Sequence, residues 1–120
     1  MNIEEIRNYC LQKKATTESL PFNDTALVFK VAGKMYALLD LENKNGINLK
    51  SKPEDAISLR EKHDFIIPGY HMNKTHWNTI VLDNRINSKF LCELIDKSYE
   101  LVVSGFTKKE KQIFENEATS

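Results

Sequence analysis

Apolar residues open the chain at helical spacing: Ile3, Ile6 and Cys10, with Leu11 beside them. Asn2 stands where a helix cap belongs and Glu5 follows three residues on, a capping-box pair that predicts a helix running to about Lys13. Thr16 to Asp24 loses that period and contains Pro21. It is expected as a polar connection, with Leu20 and Phe22 tucked back onto the core. The spacing then changes from 3.6 to 2. Thr25 to Val31 and Lys34 to Leu41 read as strands separated by Ala32-Gly33, a hairpin signal. Leu27, Phe29 and Val31 would share the core face with Met35, Ala37, Leu39 and Leu41, which leaves Val28, Lys30, Lys34, Tyr36, Leu38 and Asp40 on the other.

Glu42 to Gly46 is expected as a turn, and Ile47 to Lys50 as a short strand with Ile47 and Leu49 inward. Ser51-Lys52-Pro53-Glu54 has the form of a capping box with Pro in the first turn. A second helix is therefore predicted from here to near His63-Asp64. Phe65 to Ile67 and Trp77 to Leu82 read as another strand pair. Asn87 or Ser88 then caps a third helix to about Val103, with Phe90, Leu91, Leu94, Ile95, Tyr99 and Val102 on its apolar side and Gly105 as its C-terminal glycine.

The predicted order is α-β-β-β-α-β-β-α. Strands grouped as hairpins beside helices long enough to cover them predict an α+β fold, a two-layer sandwich of an antiparallel sheet with helices on one face. The other face would be open to solvent. One domain is expected over residues 1–106, with 107–120 a charged tail, a frayed helix or disordered.

Composition narrows the class without naming a chemistry. A chain of 120 residues can bury roughly two-thirds of its unfolded surface without disulfides or metal. No apolar run approaches the roughly 18 residues of a membrane span. With an acidic amphipathic start in place of a leader, a cytoplasmic, monomeric protein is expected. Cys10 and Cys92 form neither a disulfide framework nor a zinc spacing. Net charge is +0, which argues against strong, phosphate-driven nucleic-acid binding unless the charge is segregated.

Candidate chemistry concentrates in Pro68 to Thr79, which holds His71, His76, Trp77, Asn73, Asn78 and Lys74. His71 and His76 match no zinc signature. No Gly-rich phosphate loop, nucleophile elbow or paired-carboxylate motif is present, so no catalytic residues, metal or cofactor are assigned and a non-enzymatic protein is expected. On the open face, Lys30, Lys34, Tyr36, Asn48 and Lys50, with Trp77 and Thr79, interleave cations and aromatics as single-strand binders do. Strand faces carry Lys and Tyr for solubility and packing more often than for a ligand.

The segments Met1-Asn2-Ile3-Glu4-Glu5-Ile6-Arg7-Asn8-Tyr9-Cys10, Leu27-Val28-Phe29-Lys30-Val31 with Gly33-Lys34, Ile47-Asn48-Leu49-Lys50, Pro68 to Lys74 with His76 to Thr79, and Asp96 to Val103 together resemble the MmcQ/YjbR family of small bacterial proteins. The resemblance covers Asn2 to about Phe106. It implies an α+β domain similar to frataxin-like and secretion-chaperone-like folds, and a DNA-binding role through a double wing of hairpins. Its implied contacts are Lys30, Lys34, Tyr36, Lys50, His71, Asn73, Lys74, His76, Trp77 and Asn78. With no Arg among these, only weak, salt-sensitive binding is expected. The alternatives are a protein-interaction module presenting Val28, Tyr36 and Leu38, and a small-anion site lined by Tyr70, His71, Asn73, Lys74 and His76.

Overall fold

The computed structural model describes residues 1–20, 25–41, 46–70 and 72–119. They form α1 (Ile3–Leu11), β1 (Thr16–Ser19), β2 (Ala26–Val31), β3 (Lys34–Asp40), β4 (Ile47–Lys50), α2 (Pro53–Lys62), β5 (Ile66–Pro68), β6 (Trp77–Ile80), α3 (Ser88–Ser104) and α4 (Lys108–Thr119). The six strands make one sheet in the order β1-β2-β3-β4-β6-β5, and every neighbouring pair is antiparallel. The fold is α+β, as the spacing predicts. The expected turn over residues 42–45, Phe22 and His71 lie outside the described residues.

One row of the sheet runs Leu27, Leu39, Ile47, Ile80, Ile66, each opposite the next across the strands. All five are buried, in one cluster with Ile6 and Cys10 of α1 and Leu91, Leu94, Ile95 and Val102 of α3. Burying such aliphatic side chains contributes roughly 1.5–3 kcal/mol each, which is what holds the helices to the sheet.

Three expectations are corrected. Thr16–Ser19, expected as polar connection, is the edge strand β1, with Thr16 opposite Val31 and Ser19 opposite Val28. An edge strand whose side chains are Thr, Glu and Ser has no apolar alternation to announce it. Leu20 is 48% exposed and does not tuck onto the core. Ser51 does not cap α2: its N–H donates to the His76 carbonyl at 2.8 Å, continuing the β4–β6 ladder, and Lys52 is the N-cap with no side-chain cap bond. Gly105 does end α3 as its C-cap, at φ −95°, outside the left-handed region.

The fourth correction matters most. Phe29 lies opposite Ala37 but Lys30 lies opposite Met35, so Tyr36 is an extra residue, a bulge in β3. Beyond it the period-2 reading inverts, and Tyr36 is fully buried on the helix side, where its hydroxyl bonds Thr16 Oγ1 at 3.0 Å and donates to the Cys10 carbonyl at 3.2 Å. Ser98 of α3 repairs the ladder at this point. Its hydroxyl accepts from the Lys50 N–H at 2.9 Å and donates to the Tyr36 carbonyl at 2.6 Å.

The charged C-terminal segment forms α4. Thr107 and Glu110 make a reciprocal capping box, with Glu110 N–H donating to Thr107 Oγ1 and Thr107 N–H to Glu110 Oε1. Phe114 then stacks edge-on to Phe106 with centroids 5.6 Å apart, which ties the helix to the domain.

Candidate functional site

Antiparallel registers decide which connections share an end of the sheet. Val31 pairs Lys34 at the β2–β3 turn, Lys50 pairs Trp77, and Pro68 pairs Asn78. The tip of the β2–β3 hairpin, the end of β4 and the β5–β6 loop therefore lie at one end. Lys30, Lys34, Lys50, Lys52 and Lys74 sit on those segments. Asp40, Asp64 and Asp83 sit on segments at the opposite end, where Arg85 bonds both Asp64 and Asp83. Carboxylates also stand at the lysine end, where Glu110 meets Lys34 and where Glu54 and Asp55 follow Lys52 in the first turn of α2.

Each tip is held. The β2–β3 turn takes two residues, Ala32 at φ 50° and Gly33 at φ 80°, the paired positive angles of a tight hairpin. In the second loop Met72 N–H donates to Gly69 O, Thr75 N–H to Asn73 Oδ1 and Trp77 N–H to Asn73 O. From α2, Arg60 Nη1 donates to the Lys74 carbonyl at 2.9 Å and to Asn78 Oδ1 at 3.3 Å, while Asn78 Nδ2 donates to the Ala56 carbonyl at 3.1 Å.

The structure separates the sequence-predicted residues into two groups. Tyr36, Trp77 and Asn78 are buried, and Tyr36 and Asn78 spend their polar atoms inside the fold, so none of the three offers a ring or an amide to a ligand. On the second sheet face Val28, Asn48 and Thr79 are 1%, 7% and 3% exposed, with Thr79 Oγ1 donating to Asn48 Oδ1 and accepting from the Tyr70 N–H, while Ile67 opposite Thr79 is 43% exposed. The burial of Val28 and Tyr36 also removes two of the three residues named for a protein-docking surface. Lys30, Lys34, Lys50, Asn73, Lys74 and His76 do converge on the lysine end. Lys34 Nζ lies 3.4 Å from Glu110, and Lys74 Nζ donates to Gly69 O at 3.1 Å. An ammonium has three N–H groups, so each keeps donors for a further partner. Sequence reasoning missed Arg60 and Lys52, because nothing in spacing ties a mid-helix Arg to a loop fourteen residues on.

A second concentration of chemistry lies where α1 meets α3. The Asp96 carboxylate accepts from the Tyr9 hydroxyl at 2.7 Å and from Lys13, whose ammonium is 5.0 and 5.2 Å from the Tyr9 and Tyr99 ring centres. Burial, then the bond to Asp96, holds the Tyr9 phenol well above its ordinary range, so it stays a proton donor. Beneath it, burial pushes the Cys10 thiol up to about 12, and Lys13 only partly offsets this. Tyr9 and Lys13 thus both spend a donor on the Asp96 carboxylate. Among the described residues, no group of three or more His, Cys, Asp or Glu could hold a metal ion, and no helix is long and apolar enough to cross a membrane.

Comparison with known proteins identifies the fold and the family. The YjbR family model matches residues 11–101. Escherichia coli YjbR is 31% identical over 114 residues, which span 94% of this chain and 97% of that one. The crystal structure of a Deinococcus radiodurans protein with a DUF419 domain superposes with a TM-score of 0.85 at 40% identity, covering 93% of this chain and 87% of the other. A Pseudomonas syringae crystal structure does so with a TM-score of 0.72 at 34% identity, over 84% and 98%.

Proposed function

This chain belongs to the YjbR family, and we propose that it acts as a non-enzymatic DNA-binding domain meeting phosphate through lysines at one end of its sheet. The observation that supports the reading is the register. Two hairpin tips and the end of β4 share that end, bringing Lys34, Lys50, Lys52 and Lys74 together with Lys30 behind them, while Asp40, Asp64 and Asp83 lie away from it. Tips projecting from a rigid sheet have the form of paired wings, and lysines clustered on them raise the local positive potential that a polyanion meets.

The same residues set the limits of the interaction. Four phosphate-contacting lysines give a salt slope near −3.6 on duplex DNA, so affinity falls on the order of 100-fold between about 50 and 200 mM salt. Arg60 Nη1 is held by the Lys74 carbonyl and Asn78 Oδ1, and no other Arg lies on these segments, so the tips meet DNA mainly through lysine ammonium groups acting as point charges. Binding is therefore weak and indifferent to sequence.

Charge reversal tests the reading. Lys34→Glu with Lys74→Glu, one per wing, is expected to lower duplex affinity at least tenfold in an anisotropy titration at low salt. Lys89→Glu, at the start of α3 near the acidic end, should leave it unchanged. Equal losses in both variants would mean that general charge and not the lysine end is being read, and no loss in the double variant removes the tips from the interaction.

A further inference from the structure

Between α2 and α3, above β4 and β6, the helix layer does not close. A groove of about 500 Å³ remains. Its floor is apolar, made by Leu49, Ile80 and Leu94, and Leu59, Phe90 and Leu101 form its sides. Four cations border it, Lys50 and Lys52 at one end, with Lys62 and Lys97 along the helices, against two anions, Asp55 and Glu100. Among the described residues none of these four ammonium groups lies within 4.0 Å of a carboxylate, whereas Lys13 and Lys34 each have one.

Unpaired cations around an apolar slot describe a ligand with the opposite distribution: an apolar body and a negative head. The volume lies in the range of small-molecule sites, roughly 300–1,000 Å³. The apolar surface left accessible along the groove belongs to the half-buried Leu59, Phe90 and Leu101, since Leu49, Ile80 and Leu94 are nearly covered already. That is a narrow strip, suited to one chain or ring system and not to the face of a docking helix. We propose that this groove binds a small amphiphilic anion, a carboxylate or phosphate on an apolar body, with the body between α2 and α3 and the head held by the bordering lysines. The site is separate from the hairpin tips, although Lys50 and Lys52 border both.

The test titrates ¹⁵N-labelled full-length protein with decanoate and with decyl phosphate, each below its micelle concentration, and with neutral decanol and inorganic phosphate. One of the two anionic amphiphiles, or both, should saturate a single site in the micromolar range and shift amides of α2, α3, β4, β6 and the Ser51-Lys52 connection only; their ranking identifies the head group. Decanol should bind at least tenfold more weakly, and phosphate alone should not saturate. Lys62→Glu with Lys97→Glu, and separately Ser58→Trp to fill the groove, should each weaken the amphiphile at least tenfold with amide spectra still those of the folded protein. Neither change touches the lysines assigned to DNA, so the two readings fail independently. The proposal is overturned if neither amphiphile saturates, if shifts centre elsewhere, if decanol or phosphate binds as tightly, or if the folded charge variant keeps its affinity. The charge variant decides alone should Ser58→Trp not fold.

Discussion

Replacing Ser98 by Ala removes one oxygen and orphans two backbone groups. The hydroxyl is fully buried, accepts from the Lys50 N–H at 2.9 Å and donates to the Tyr36 carbonyl at 2.6 Å. These are the groups that the bulge at Tyr36 leaves outside the regular β3–β4 ladder, whose pairing ends at Ala37 and Leu49. A buried donor or acceptor left unpaired costs about 1–3 kcal/mol. The Tyr36 carbonyl is deep, whereas the half-exposed Lys50 can recover part of its loss from water, so the sum is about 2–4 kcal/mol. Against a total stability of about 5–15 kcal/mol that is a large fraction. For a domain of this length each kcal/mol lowers the melting temperature by about 3–5 °C, so Ser98→Ala should melt about 6–20 °C below wild type. Urea unfolding followed by circular dichroism measures the free energy, with Ser104→Ala as the control because that hydroxyl is exposed and bonds only the Leu101 carbonyl of its own helix. A loss below about 0.5 kcal/mol, or one no larger than the control's, would refute the view that Ser98 closes the sheet at the lysine end.

Three further outcomes follow from the same geometry. Gly46 has φ +104° and a Cβ there would sit 1.8 Å from the Ile80 carbonyl oxygen, so Gly46→Ala should cost more than about 2 kcal/mol; a variant as stable as wild type in urea contradicts this placement. Because burial holds Cys10 as a thiol while Cys92 is half-exposed, a disulfide reagent should react quickly with one thiol of the native protein and with two after unfolding. Two equally fast native thiols would contradict it. Arg7 holds Glu18 below its ordinary value of 4.5, first by hydrogen bonding and also through its charge, with burial opposing. A depressed folded value means the stability is complete above about pH 4.5 and is lost as the pH falls through the lowered value, so the stability gap between wild type and Glu18→Gln should shrink below that pH. A gap constant from about pH 7 to pH 3 would rule the pairing out.

Where the sequence was legible, burial had left a period. The alternation from Leu27 to Leu39 and the helical spacing from Phe90 to Val102 each record one buried face, and the structure buries Leu27, Phe29, Val31, Ala37, Leu39, Leu91, Leu94, Ile95 and Val102 accordingly. The bulge is where that logic reverses: one inserted residue moves Tyr36 to the helix side, and alternation alone carries no mark of the insertion. β1 shows the complementary failure, since an edge strand of Thr, Glu and Ser buries too little to leave a pattern. In Pro68 to Thr79 the concentration of polar and aromatic types read as a binding loop. Trp77 and Asn78 instead begin β6, and Asn78 is tied to α2 through Ala56 and Arg60. Function-rich residue types and a buried polar network look alike in sequence, because both place hydrogen-bonding groups among apolar ones. The gathering of lysines depended on strand order, which local pattern does not encode: Lys34, Lys50 and Lys74 are far apart along the chain and share an end only once β4 is seen to pair with both β3 and β6.

The central claim is that the lysine end reads phosphate. Its most direct test is the salt dependence of wild-type binding to labelled duplex DNA. The account predicts micromolar affinity at low salt and a slope of log affinity against log salt near −3 to −4, with little difference between unrelated sequences. No binding at low salt, or binding with a slope near zero, would contradict it.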